Sequence, residues 1–437
     1  MILLQVSMLN HLGQGNRMWA RLRLDIQWFH LIRGIFDFLP FGTRSKTQKK
    51  LEDYWSLQQD DVLACLSLRS GFDLYLQALE LPAGSEVLFS SITISDMPRI
   101  AEAHGLVPIP VDLSGCNFQL DLASLENAIT AKSKVLVVAY LFGARPDLSQ
   151  IIKLARERDL LIVEDCAQAW HTPDWRGNAD VDATFFSFGN IKTATALGGS
   201  LCRIGHQEIL DQMRELQEKQ PVQVTWNRPV KLIKYAMLKI LSTRVVYYFF
   251  CQLCRFRGRD LDVVLRGFTK GFSESDLLFR LRKRPSCVMM RMMYRGLKTY
   301  DTQRIEQRIQ NAHQIIEHLE LQKVEYEPSE NSHSYWLFPY FCSAPDQLVL
   351  HLRQHGFDTT QRGRMEVLSP PDERPNLICP QATELLNQTV LLPCYPEMSD
   401  SAINQMCDLI IQFNPQQSFI HDSTGDTSKS KNALCKQ

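Results

Sequence analysis

Between about residues 50 and 215, short apolar runs alternate with amphipathic stretches. The runs at 86–92, 107–113, 134–143, 160–166 and 183–188 are too short for buried helices and read as buried strands. Between them, 122–129 and 148–158 carry helical spacing. Buried strands alternating with helices predict an α/β fold with a mainly parallel, mixed sheet, filling a large domain over 49–215. From Thr302 onward, Ile305, Ile309, Ala312, Ile316 and Leu319 recur on one helical face. A strand at 335–341, a helix at 345–355 closed by Gly356, the apolar VLLPCYP and a helix at 399–413 follow. These elements predict a smaller α+β C-terminal domain over 301–414. The polar tail at 415–437 reads as disordered.

Two segments break this rhythm. In the N-terminal segment, 1–48, Trp19, Leu22, Ile26, Phe29, Ile32, Phe36 and Leu39 recur every three or four residues. Arg17, Arg21, Asp25 and Arg33 lie largely off that stripe. Such a helix either packs on its own protein or lies in a membrane interface. Residues 216–300 form a basic, apolar helical insertion. Within 230–257, Lys231, Lys234, Lys239, Arg244, Arg255 and Arg257 interrupt a strongly apolar pattern. Together, 17–39 and 230–257 suggest a peripheral contact with the inner face of a membrane; a lid or dimer contact is the other reading. No uncharged apolar run approaches the roughly 20 residues that span a bilayer.

Composition narrows the setting. Lys+Arg and Asp+Glu both total 48 in the 437 residues, so no basic field favours nucleic acid as a partner. The 12 cysteines lack the spacing of a disulfide framework, which fits a reducing, cytoplasmic compartment. Cys251 and Cys254 have no second pair and read as small hydrophobes, so no metal is expected. The N-terminal residues lack a basic region ahead of their apolar ones, so no secretory signal is expected.

The chemistry concentrates in two places. Lys192 stands in TFFSFGNIKTATALGGS with no other charge beside it, and Asp165 closes the run LLIVED. A buried carboxylate and a buried amine at successive strand ends form either a structural ion pair or a pyridoxal phosphate site. That cofactor needs a lysine amine, an acid for its pyridine nitrogen, and a cradle of N–H groups at a helix start. Ser70, Gly71 and Phe72, leading into LYLQALEL, are the candidate cradle.

These motifs resemble the DegT/StrS-type pyridoxal-phosphate sugar aminotransferases of fold type I. Glu164-Asp165-Cys166-Ala167-Gln168-Ala169 matches that family's E-D-x-A-Q-A. Ser187-Phe188-Gly189-Asn190-Ile191-Lys192 matches its S-F-x-x-x-K, with Gly198-Gly199 following. Tyr140-Leu141-Phe142-Gly143 is similar to its H-x-x-G, and LLPCYPEMSDSAIN to its C-terminal signature. The resemblance implies that Lys192 holds the cofactor and then moves the proton, and that Asp165 pairs with the pyridinium nitrogen. It places Gln168 against the ring or its 3-oxygen. Ser187, Ser70 and the Gly71 and Phe72 amides would take the phosphate. It further implies an amino acid donor, glutamate above all, a keto-sugar acceptor linked to a nucleotide, and a homodimer. The pathway would be surface-polysaccharide or secondary-metabolite biosynthesis. Another fold-type-I enzyme, or a non-catalytic membrane-associated protein of this fold, is the alternative.

The sequence departs from that pattern at four points. Phe72 brings no hydroxyl, Ile94 stands where an aromatic usually follows Thr, and Gly189 replaces a common histidine. The family's G-Y-N-x-R-M is missing, and Asn227 in TWNRP is its nearest stand-in. His333, Arg362 and Arg364 read as solvated loop residues.

Overall fold

A computed structural model of the protein describes residues 17–39, 42–57, 60–115, 118–224, 228–269, 276–321, 332–361, 363 and 365–413. In the first part of the chain the strands are β1 (Val62–Cys65), β2 (Glu86–Ser90), β3 (Ile92–Ile94), β4 (Val107–Val111), β5 (Leu113–Ser114) and β6 (Gln119–Leu120). The chain continues with β7 (Ser133–Ala139), β8 (Leu161–Asp165), β9 (Ala183–Ser187) and β10 (Ser200–Ile204). The C-terminal part supplies β11 (Phe338–Phe341), β12 (Thr360–Gln361), β13 (Met365–Val367) and β14 (Thr389–Leu392).

Seven strands make the central sheet, in the order β1-β10-β9-β8-β7-β2-β4. Only β10 runs against its neighbours, meeting β9 and β1 antiparallel, whereas β9, β8, β7, β2 and β4 are mutually parallel. The strands expected at 86–92, 107–113, 134–143, 160–166 and 183–188 are all present, each a little shorter. Their continuous apolar character follows from helices covering both sheet faces. One apolar cluster includes Leu136, Ile162 and Phe186, and the other includes Val137, Val163 and Phe185. Alternation along each strand sends successive side chains to opposite layers.

The smaller unit is the antiparallel sheet β11-β14-β12. Its core joins Phe338, Val390 and Leu392 to Ile315, Leu352 and Ile410, from the helices Gln303–His318, Pro345–Gln354 and Asp400–Phe413. β13 leaves this unit and pairs with β3 through Met365↔Ile94 and Val367↔Ile92, stitching the two units together.

The N-terminal stripe from 19 to 39 is not one helix. Residues 17–27 run extended, with Trp19 bridged to Phe357, and only α1 (Trp28–Phe36) is helical. The cause is the off-stripe charge. Arg21 Nε donates to Asp358 Oδ2 at 2.7 Å, and Asp25 Oδ1 accepts from Arg304 Nε at 2.9 Å. Both ion pairs pull the chain straight across the small unit and bury Trp19 and Ile26. Phe29, Ile32, Ile35 and Phe36 of α1 are left exposed.

Beyond the large unit, α2 (Arg228–Leu241) buries Leu232 and Tyr235 in the main core, and α3 (Arg244–Phe256) buries Tyr247 and Cys254. The helix Cys287–Lys298, at the end of the expected insertion, likewise buries Met289, Met290 and Met293 in the main core. No helix among the described residues is long and apolar enough to cross a membrane. The tail at 415–437 lies outside the described residues.

Candidate active site

Asp165, Ser187 and the Lys192 loop lie at the carboxyl ends of β8 and β9, the edge where open parallel sheets bind ligands. Asp165 is the last residue of β8, and its Oδ1 accepts the Ala167 amide at 3.0 Å. Glu164, one residue earlier, faces the opposite layer. There it is fully buried and accepts from Tyr140 Oη at 2.5 Å, Thr184 Oγ1 at 2.8 Å and the Asn178 amide at 3.0 Å. Alternation therefore splits the Glu-Asp pair into a satisfied structural carboxylate and one that ends the strand at this edge.

Lys192 follows β9 on a tight loop, its amide donating to Gly189 O at 3.1 Å. Its Nζ sits 3.9 Å from the centroid of the Trp336 ring. Burial lowers the amine from 10.5 to about 8, against the raising influence of Asp165. Burial likewise raises the Asp165 carboxyl, opposed by the Ala167 amide, Lys192 and Arg69. Each charge steadies the other, yet no hydrogen bond or ion pair within 4 Å joins them. Both side chains are hemmed in by protein while keeping some accessible surface, as groups do when they line a crevice. A closed structural ion pair would show direct contact, and none joins these two groups.

The helix start lies upstream of where the sequence placed it. Ser67 caps the helix Leu68–Leu79, so the positive end of its dipole falls at Ser67–Arg69. Ser70 is buried, with its amide donating to Ser67 Oγ at 3.2 Å and its hydroxyl 2.9 Å from the same atom. The Gly71 amide donates to Ser67 O at 3.0 Å inside the first turn. Phe72 is fully buried between Phe89 and Phe185. Ser70, Gly71 and Phe72, expected at the phosphate, also serve the helix and the core. Gly71 lacks a side chain for a different reason. A Cβ there would run into Cys202 Sγ and come within 3.2 Å of Phe185, so glycine lets the helix press onto β9 and β10.

Ser187 ends β9, and its hydroxyl oxygen accepts the Gly189 amide at 3.4 Å, leaving its own proton to donate. Gln168 Oε1 accepts the Phe142 amide at 2.7 Å, which turns the Gln168 NH2 group toward β13. Asn227, Arg362 and Arg364 lie outside the described residues. His333 is not a solvated loop residue. It is buried and stacked 4.0 Å from Tyr335, with Nδ1 accepting the Tyr335 amide. Burial and the nearby Arg308 and Arg145 hold it down at about 3, so it is neutral.

Sequence reasoning missed what holds the lysine loop. Trp336 Nε1 donates to Ile191 O at 3.0 Å, and Arg308 Nη1 to Thr193 Oγ1 at 3.3 Å. Asp25 Oδ2 accepts from the Ala194 amide at 2.9 Å and from Tyr300 Oη at 2.6 Å. Lys231 of α2 donates to Leu197 O. Ala194 and Leu197 both carry positive φ, 53° and 60°, a conformation that non-glycine residues keep only when surroundings over-determine it. Nothing in the linear sequence announces these anchors, because four separate segments supply them. Arg69, in the first turn of the helix Leu68–Leu79, was readable only as a charge near Ser-Gly; its field reaches both Asp165 and Lys192.

The donor set fits pyridoxal phosphate. A carboxyl made uncomfortable by burial gains from a cationic ring N–H, and an amine lowered to about 8 gives up its proton far more readily than an ordinary lysine. A mostly parallel seven-stranded sheet with one reversed strand, and a lysine loop and an acid at its carboxyl edge, define a fold-type-I enzyme of the pyridoxal-phosphate class. More narrowly, the chain belongs to the DegT/DnrJ/EryC1/StrS aminotransferase family, whose profile matches residues 44–233 and 292–411. The intervening insertion and the N-terminal segment fall outside that match.

Among curated relatives, the GDP-perosamine synthase of Escherichia coli O157:H7 is 33% identical over 129 residues, 29% of this chain and 35% of that protein. The GDP-perosamine synthase of Caulobacter vibrioides is 31% identical over 157 residues, 35% of this chain and 42% of that protein. The alignments thus span about a third to two-fifths of these relatives. Among solved structures, the pyridoxal-phosphate form of a putative sugar aminotransferase from Streptococcus pneumoniae superposes with a TM-score of 0.66. It is 17% identical, with 90% of this chain and 98% of that one covered. PseC of Helicobacter pylori, an aminotransferase of pseudoaminic acid biosynthesis, gives a TM-score of 0.66 at 13% identity over 91% of this chain and 99% of that one. At such identities the likeness shows the fold.

Proposed function

We propose that this protein is a pyridoxal-phosphate-dependent aminotransferase. It would move an amino group from an amino acid, glutamate in the first instance, to a keto-sugar carried on a nucleotide. The observation that carries this reading is the placement of Asp165 at the end of β8 and of Lys192 on the loop after β9, where each feels the other's charge and no ion pair joins them. When bound, the cofactor supplies an electron sink for carbanion character at the donor Cα.

This chain's residues do the rest. The Asp165 carboxylate would hold the proton on the ring nitrogen. Lys192 Nζ would hold the cofactor and would move the proton at the donor Cα. The amine's lowered value suits both halves of that task near neutral pH. The Gln168 NH2 group is available to the 3-oxygen, because its carbonyl is already held by Phe142. The Ser187 hydroxyl and the dipole of the helix Leu68–Leu79 would hold the phosphate, with Arg69 adding charge. Arg308, buried with Nη2 unpartnered among the described residues, would hold the loop and offer one donor to a substrate anion.

The reading includes a homodimer working in the cytoplasm. The described cysteines, all free, suit a reducing compartment. The sugar acceptor rests on the names of relatives such as GDP-perosamine synthase.

The test is spectroscopic. Purified protein given pyridoxal phosphate should show the visible band of a lysine-bound cofactor. Glutamate should convert that band to the pyridoxamine form, and a nucleotide-linked keto-sugar should restore it. Lys192→Ala should lack the band while keeping its melting temperature. A band that survives Lys192→Ala, or that no amino acid converts, would overturn the assignment.

A further inference from the structure

Three neighbouring helices each bury one face on the protein and turn a second, apolar face to solvent. α1 turns Ile32, Ile35 and Phe36 to solvent. α2 does the same with Ile233 and Met237, and α3 with Phe249. On each helix the outward apolar positions recur every three or four residues, so these are continuous stripes rather than scattered side chains. The helices touch: a Cβ at Gly34 would lie 3.1 Å from Leu232, and Lys239 Nζ stands 5.9 Å from the centroid of Trp28. Taking about 200 Å² per large side chain, the exposed fractions on α1 leave roughly 550 Å² of apolar surface on that helix. One helix alone thus lies near the upper end of the largest patches, about 300–600 Å², found on ordinary monomers.

The charge around the patch says what covers it. Residues 228–259 contain eight lysines and arginines and no aspartate or glutamate. Arg33, Lys234, Arg255, Arg257 and Arg259 are exposed. The acidic residue nearest α1, Asp37, is turned inward, bonded by Arg295 at 2.6 and 2.9 Å. A second copy seated on this face by two-fold symmetry would bring cations against cations, which costs binding. A soluble partner core would match the apolar stripe but offer nothing to the cations of the rim. An anionic bilayer surface matches both halves, taking the apolar side chains at its acyl boundary and the cations at its headgroups.

We propose that the outward face of α1, α2 and α3 docks the protein on a membrane rich in anionic phospholipid, lying in the interface without crossing it. The helices that form this face also brace the lysine loop. Asp25, three residues before α1, accepts the Ala194 amide, and Lys231 of α2 donates to Leu197 O. The docked surface is therefore fixed in orientation relative to Lys192, and the enzyme would work on acceptors presented at the membrane. The parts that build the face lie mostly outside the match to the family, at 28–36 and 234–256. The inference goes beyond the aminotransferase reading and stands without it.

The test is co-sedimentation of the full chain with vesicles of phosphatidylcholine alone or mixed with phosphatidylglycerol, read by bound protein rather than turnover. Binding should require the anionic lipid and weaken with salt. Lys234→Glu and Arg255→Glu should each reduce it by roughly fivefold or more. Ile233→Ser with Phe249→Ser should abolish it, with an unchanged melting temperature and unchanged spectral response to glutamate. Equal binding to neutral vesicles, or no binding to either, would overturn the proposal. So would an Ile233→Ser/Phe249→Ser protein that changes from dimer to monomer in light scattering, because the face would then belong to a second copy.

Discussion

Replacing Lys192 with methionine should stabilise the cofactor-free protein, and the gain should vanish as pH rises. Below about pH 8 the amine is protonated in both the folded and unfolded chains. The folded chain then bears the full cost of burying a cation. The amine falls from 10.5 to about 8 on folding, and each pH unit is worth about 1.4 kcal/mol, so that cost is roughly 3 kcal/mol. Between pH 8 and 10.5 the unfolded chain holds a proton the folded chain has lost, so the wild-type protein gains stability with pH. Above that window both forms are neutral and the penalty is gone. Methionine fills a similar volume beside Trp336 and has no such slope. Part of the gain is returned because Asp165, already raised by burial, loses the attraction of Lys192. A net gain of about 2 kcal/mol at pH 7 is expected. Urea unfolding of the wild-type and Lys192→Met proteins without cofactor, at pH 7 and again near pH 10, measures it. The other titrating groups are common to both proteins and cancel in the difference. A variant no more stable at pH 7, or one whose advantage persists unchanged to pH 10, would show that the amine is not desolvated. The case for a poised nucleophile would go with it.

Asp165→Asn keeps the volume but gives up the charge on the ring nitrogen; the single-turnover rate with glutamate should fall by roughly a hundredfold or more, and a fall of less than tenfold would count against the role. Asp25→Ala removes the partner of Arg304 and the acceptor for Ala194 and Tyr300. Breaking a buried pair from one side costs roughly 3–5 kcal/mol, so calorimetry should show a clear drop in melting temperature; an unchanged one would mean the loop has other support. Gly71→Ala places a methyl against Cys202 and Phe185 and should cost about 1–3 kcal/mol in urea unfolding, with recovery in Gly71→Ala/Cys202→Ala. Failure of that recovery would point to the backbone instead of packing.

The sequence by itself determined the alternation of strand and helix, because strands covered on both faces must be apolar along their whole length. It also determined the positions of Asp165 and Lys192, because charges are rare at the ends of such runs and draw attention there. It could not place the helix start at Ser67, since Ser-Gly at 70–71 is as good a local signal; only the packing of Gly71 on Cys202 and Phe185 decides between them. It read 19–39 as one helix, because apolar spacing is blind to Arg21 and Asp25 finding Asp358 and Arg304 hundreds of residues away. Tertiary structure alone decided which face of that stripe is buried. It also brought Asp25, Trp336, Arg308 and Lys231 to one loop. Contacts between distant segments leave no periodic trace in the chain, whereas burial within a single element does.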